Sequence, residues 1–159
     1  DKIEAGEYRN FIVEKLEASG KKILPEVIAE IFTWTRLHTF YVQYICNLLF
    51  ESGNKLLDKE AIVQVFQKLL VSYEPLFVSY RNLIPSHQFK LLQAIAVEDG
   101  IAQPTANAFI AKHNLTSASS VGTSLKALAE KEMIVHDGNQ WLVYDVFFSR
   151  WLQYHYGKR

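Results

Sequence analysis

The sequence predicts a mainly α chain in two parts, a four-helix bundle over residues 1–80 and, over residues 81–159, a unit of three helices, one β-hairpin and a closing helix. Two observations carry this expectation. Apolar residues recur at helical spacing through most of the chain, with stops and caps between the runs. Late in the chain, Asp137-Gly138 stands between two short β-prone runs, a strong hairpin signal. With 159 residues, 49% of them apolar, there is enough material for one medium domain or two small ones with proper cores.

In the first part, Tyr8, Phe11, Ile12 and Leu16 lie on one face of a helix expected over about 4–19, and Gly20 followed by Lys21 and Lys22 is a helix stop with cations near the negative end of the dipole. Pro25 suits the first turn of a second helix, whose stripe is Val27, Ile28, Ile31, Phe32 and Thr35 and which ends near Arg36. Thr39 is expected to cap a third helix. That helix is apolar around most of its circumference, through Tyr41, Val42, Ile45, Cys46, Leu48, Leu49 and Phe50, which predicts a place in the middle of the bundle. Asp58 is the expected N-cap of a fourth, carrying Ile62, Val65, Phe66, Leu69 and Leu70 and running to about Leu83, with a bend or break at Pro75.

In the second part, helical spacing runs from Ser86 to Val97, from Pro104 to His113 and from about Ser117 to Lys131. Strands are expected at 133–136 and 140–144, joined at Asp137-Gly138-Asn139. Three helices followed by such a hairpin make a winged helix-turn-helix, the hairpin being the wing. Asp145 then caps a last helix whose Phe147, Phe148, Trp151, Leu152 and Tyr156 must pack back on the rest.

Charge and motifs exclude several functions. Lysine plus arginine and aspartate plus glutamate both number 17, so no long-range field steers the chain toward nucleic acid or an anionic membrane. One cysteine, Cys46, allows no internal disulfide or cysteine cage, and a small buried thiol in a reducing, cytoplasmic setting is the expectation. The histidines at 38, 87, 113, 136 and 155 include no i, i+4 pair, so no metal site is expected. Phosphate-binding glycine loops and the Gly-x-Ser-x-Gly elbow are missing from the sequence, which leaves no catalytic residue to name. No uninterrupted apolar stretch spans a bilayer, so no membrane partner is expected. A chain opening at Asp1 directly into an amphipathic segment reads as a piece of something longer.

On the helix at the recognition position, Val121, Leu125 and Leu128 are the expected buried stripe, leaving Ser119, Ser120, Thr123, Lys126 and Glu130 outward. Lys112, His113 and Asn114 before that helix, with His136, Asn139 and Gln140 on the wing, could add phosphate contacts. The candidate contacts to DNA or a protein partner are therefore Lys112, Asn114, Ser119, Ser120, Thr123, Lys126 and Asn139. A face with one cation and mainly hydroxyls suits protein packing better than DNA, whose affinity comes largely from phosphate neutralisation. Between the second and third helices, Arg36 and His38 lie beside a helix N-terminus, a weak anion site flanked by Trp34, Phe40 and Tyr41.

The run Thr35-Arg36-Leu37-His38-Thr39-Phe40-Tyr41-Val42-Gln43 resembles the start of the third lid helix in prokaryotic AAA+ ATPases of the archaeal-type and STAND group, which commonly show a Gly-His-Pro-Tyr-Tyr-like segment there. Tyr144-Asp145-Val146-Phe147-Phe148-Ser149-Arg150-Trp151-Leu152 is similar to the Asp-Pro-x-Phe-x-x-Trp-Leu signature closing their winged-helix domain. Ser119-Ser120-Val121, with Leu125-Lys126-Ala127-Leu128 and Lys131, resembles that group's recognition-position helix. The resemblance covers essentially the whole chain in order. It departs from the pattern at Leu37, Thr39 and Val146, which replace a glycine and two prolines.

The resemblance implies a four-helix AAA+ lid-like bundle over 1–80 and a winged helix over 81–159. It implies Arg36, His38 and Thr39 as nucleotide-sensing positions. ATP and Mg would be cofactors of the parent chain alone, with an upstream nucleotide-binding domain as first partner and a protein or DNA as second. The lid would close over nucleotide, and the last helix would pass closure to the winged helix. The alternative from another class is a stand-alone DNA-binding transcriptional regulator whose first four helices dimerise or sense a ligand. A scaffolding module is a third reading.

Overall fold

The computed structural model describes residues 5–157. The chain divides into two compact units, Asp1–Ser72 and Tyr73–Arg159, each with its own core.

The first unit contains α1 (Ala5–Ala18), β1 (Lys22–Ile23), α2 (Pro25–Trp34), α3 (Thr39–Glu51), β2 (Leu56–Leu57) and the opening turns of α4 (Lys59–Leu83). Helical spacing decides what each helix buries: Tyr8, Ile12 and Leu16 on α1, Val27, Ile28 and Ile31 on α2, and Val42, Ile45 and Leu49 on α3. From α4 come Ala61, Ile62, Val65, Phe66, Leu69 and Leu70, with Phe66 stacked on Trp34 at a centroid distance of 4.2 Å. Asp58 caps α4 as expected, its Oδ1 accepting the Ala61 N–H at 3.0 Å.

Four features of this unit differ from expectation. First, β1 and β2 form a parallel pair in the register Lys22↔Leu56 and Ile23↔Leu57, with Ile23 and Leu57 inward. Second, α3 buries one stripe and is not the central helix, because Phe40 is 59% and Phe50 54% exposed. Third, Thr39 is the first residue of α3, and His38 occupies the N-cap without a side-chain capping bond. Fourth, Lys21 serves the end of α3 as well as sitting after α1: its Nζ donates to the Ser52 and Asn54 carbonyls at 2.5 and 2.8 Å, placing the cation at that helix's negative end.

Pro75 does not break α4, which runs unbroken from Lys59 to Leu83. Pro75 and Val71, whose carbonyl loses its helical donor, are both exposed, so water can satisfy what the ring removes. Among the described residues α4 is the one helix long and apolar enough, by length and composition, to cross a membrane. Lys68 and Glu74 lie in its middle, and its buried apolar side chains fill protein cores.

The second unit holds the remainder of α4, then α5 (Ser86–Val97), α6 (Asn107–Lys112), α7 (Ala118–Glu130), β3 (Ile134–Asp137), β4 (Gln140–Val143) and α8 (Val146–Tyr156). α6 is shorter than its spacing predicts because Pro104–Ala106 form a turn before it. α7 and α8 are capped by Ser117 and Asp145, whose side chains accept the N–H groups of Ser120 and Phe148. β3 and β4 pair antiparallel, Ile134↔Val143 to Asp137↔Gln140, and Gly138 turns between them at φ 60. Ile101 adds a third, one-residue rung through reciprocal bonds with Trp141 of 3.0 and 2.8 Å. Gly100, before it, has φ 119, and a Cβ there would lie 2.6 Å from Leu142 Cδ2.

The core of this unit is aromatic. Phe77 is fully buried among Tyr73, Tyr80, Phe148 and Trp151, with ring centroids 5.1 to 6.1 Å away. Trp151 Nε1 donates to Glu74 Oε2 at 2.5 Å, which satisfies its one polar atom. Leu91, Leu92 and Ile95 of α5, Leu128 of α7 and Leu152 of α8 are also fully buried, where α5 packs on α7 and α8.

Candidate functional site

The two candidate sites from the sequence lie in different units. In the first, the turn between α2 and α3 carries Arg36, His38 and Thr39. Arg36 and Leu37 both adopt left-handed backbone, with φ 53 and 56, which glycine takes without cost. Leu37 N–H reaches back to the Phe32 carbonyl at 2.8 Å, closing α2. His38 meets the Tyr41 ring edge-on at 5.1 Å, and the Thr39 carbonyl accepts the Tyr8 hydroxyl at 3.3 Å. Arg36 is half-buried and His38 exposed.

In the second unit, the outward face of α7 carries exposed Ser119, Thr123 and Lys126, with Ser120 half-buried at its edge. The buried stripe is Val121, Ser124 and Leu128; Leu125, expected inside, is half-buried and Ser124 takes its place. Lys126 Nζ lies 4.0 Å from Glu130 Oε1, a solvated pair one turn apart. Thr123 donates its hydroxyl to the Ser119 carbonyl at 3.1 Å.

The other lysines near α7 are exposed, and each meets an acceptor within the unit. Lys112 Nζ sits 2.7 Å and His113 Nε2 2.6 Å from the same Glu98 carboxylate. The Lys112 ammonium, and after it His113, holds the Glu98 carboxyl below the usual range against the opposing pull of burial. Lys90 Nζ donates to the carbonyl of Asn114, itself left-handed at φ 49, and Lys131 Nζ donates to Gln88 Oε1 at 3.0 Å. His87 and Lys90 flank Asn114 and Ser120 around a depression of about 50 Å³. From sequence His87 stands out only as one of five scattered histidines and Lys90 not at all; their one-turn spacing and polar character on an otherwise buried helix is the available signal. On the wing, Asn139 is exposed at the tip beside Asp137, and the residues from Val135 to Gln140 include no lysine or arginine.

The model of the family described as "Probable winged helix domain" matches residues 75–154. The chain belongs to this winged helix family. No curated protein and no solved structure matches it. In this winged helix, α6 and α7 form the helix-turn-helix, α7 holds the recognition position, and β3 and β4 form the wing. Among the described residues no group of three or more His, Cys, Asp or Glu side chains is placed to hold a metal. Cys46 is half-buried in the other unit, and burial pushes its thiol up to about 12, which keeps it protonated and a poor nucleophile.

Proposed function

We propose that this chain is the C-terminal lid and winged-helix portion of a P-loop ATPase of the AAA+ or STAND type, working in the cytoplasm, and that its winged helix passes nucleotide state to a protein partner. The observation that carries the choice of a protein over DNA is the sparse positive charge of the recognition face: Lys126 is the one lysine among its outward residues, and Val135 to Gln140 on the wing include no lysine or arginine. Lys126 is paired with Glu130, Lys112 with Glu98, Lys90 with a backbone carbonyl and Lys131 with Gln88. A DNA reader of this fold needs several cations on that helix and its wing to displace counterions.

The lid reading is supported by the turn before α3. At Leu37, where the resembling ATPases carry glycine, the backbone stands in the left-handed region at φ 56. ATP and Mg would be held by a domain preceding this chain, with Arg36, His38 and Thr39 closest to them. The route of the switch would be α4. Tyr73, Phe77 and Tyr80 on its later turns pack against Phe147, Phe148 and Trp151 of α8, so a displacement of those turns displaces α8.

The test is limited proteolysis of a longer chain that includes a phosphate-binding loop, comparing ATP and ADP. The proposal expects nucleotide-dependent cleavage between residues 75 and 90. Unchanged cleavage would remove the relay, and saturable ATP binding to the present chain alone would remove the division of labour. A regulator that binds duplex DNA directly is the competing outcome, distinguished by gel shifts at low salt.

A further inference from the structure

In the first unit, α1 and α3 leave an open groove of about 390 Å³ between them. Its walls come from Phe11, Ile12 and Lys15 on α1 and from Cys46, Asn47 and Phe50 on α3. On each helix these positions recur at helical spacing over about two turns, so the groove is roughly 10 Å long at 1.5 Å per residue. The described residues do not cover it: Phe11 is 53% and Phe50 54% exposed, on opposite walls. Paired, exposed aromatic walls around a concave apolar surface are what a ligand site presents, and the volume falls in the small-molecule range.

The polar groups on the lining indicate what would enter. Lys15 is the one charged side chain among the lining residues, with its Nζ 5.5 Å from the centre of the Phe11 ring. Asn47 and Gln43 add neutral amides on the opposite helix. A strip of apolar wall ending at one cation fits an aliphatic chain that ends in one negative charge. The Cys46 thiol, protonated at neutral pH, lines the groove as a small apolar surface and adds no second charge.

We propose that the groove between α1 and α3 binds a medium-chain aliphatic carboxylate, its chain between Phe11 and Phe50 and its carboxylate on Lys15. The groove belongs to the first unit, uses none of Arg36, His38 and Thr39 as a lining residue although Tyr8 at its edge reaches the Thr39 carbonyl at 3.3 Å, and does not depend on the ATPase reading.

The test titrates the isotopically labelled chain, followed by amide and methyl NMR, with octanoate, decanoate and decyltrimethylammonium below their micelle concentrations. The expected shifts are saturable and confined to residues 8–16 and 43–50. Affinity should rise about two- to fourfold per added methylene, the upper figure being full burial of each one. Decanoate should bind about threefold more tightly than the cationic amphiphile, and Lys15→Glu, an exposed change that leaves the core intact, should reverse that order. Four results would overturn the proposal: shifts spread over both units, no dependence on chain length, equal affinity for the two head groups, or the same shifts produced by raising protein concentration alone. The last would assign the groove to a second copy of the chain.

Discussion

Replacing Asp99 is expected to destabilise the winged helix more than replacing Arg150, the residue it faces. Arg150 on α8 is 8% exposed, with its Nη1 3.1 Å from Asp99 Oδ2, whereas the Asp99 side chain is 43% exposed. The same Nη1 donates to Gln153 Oε1 at 2.8 Å, and Gln153 Nε2 donates to the Ala96 carbonyl at 2.7 Å, so the group ties α8 to the end of α5. Asp99→Asn removes the counter-charge and leaves a guanidinium in a buried position. A buried ion pair broken on one side costs about 3–5 kcal/mol, and the water that already reaches Asp99 lowers this to about 2 kcal/mol. Asparagine tolerates the φ of 52 at this position, so backbone strain does not enter the comparison. Arg150→Met removes the buried charge itself, keeps an apolar stem among the same neighbours and lets Asp99 hydrate, which costs less than about 1 kcal/mol. The assay is equilibrium urea unfolding of both variants and of the double variant, reading midpoints at unchanged m. The double variant is expected to lie near Arg150→Met. If Arg150→Met proves as costly as Asp99→Asn, the charge is contributing net stability and the desolvation argument fails.

Pro75→Ala is expected to stabilise the chain by about 1–3 kcal/mol, because an interior helical donor is restored and the ring's contact with the preceding turn is relieved; thermal melting checks it, and a lowered melting temperature would mean that the proline shapes α4. Gly100→Ala should cost about 2–4 kcal/mol from forbidden backbone and overlap with Leu142, and should speed amide exchange at Ile101 and Trp141 first. Glu98 has a folded pKa below its unfolded one, so its contribution is fully present above the ordinary glutamate range and is lost as pH falls through the lower folded value. The stability gap between wild type and Glu98→Gln should therefore close as pH drops through and below that range, and a gap that widens on acidification would contradict the assignment.

Helices were legible where an amphipathic stripe coincided with a cap, as at Asp58 and Asp145, because both signals are local. The wing was legible from Asp137-Gly138 for the same reason. What escaped was non-local. Two-residue strands such as Lys22–Ile23 and Leu56–Leu57 have no alternation to read, and the Ile101 rung depends on a glycine whose φ the sequence does not reveal. α3 looked central because apolar residues surround it, yet Phe40 and Phe50 remain in water. Pro75 looked like a break because the exposure of Val71, which tolerates a lost donor, is a tertiary property. On the candidate face, sequence placed Ser119, Thr123 and Lys126 outward, as they lie. It did not indicate that Glu98 and the Asn114 carbonyl would occupy Lys112 and Lys90, since those pairings cross the turns between helices.

The proposal that the winged helix faces a protein and not a duplex is tested most directly by fluorescence anisotropy of labelled duplex DNA against this chain over a salt series. Binding should be weak even at low salt, with a log–log salt slope shallower than about −2 and no change on Lys126→Ala. Sub-micromolar binding with a slope steeper than about −4, reduced by Lys126→Ala and Lys112→Ala, would place the α7 face on DNA.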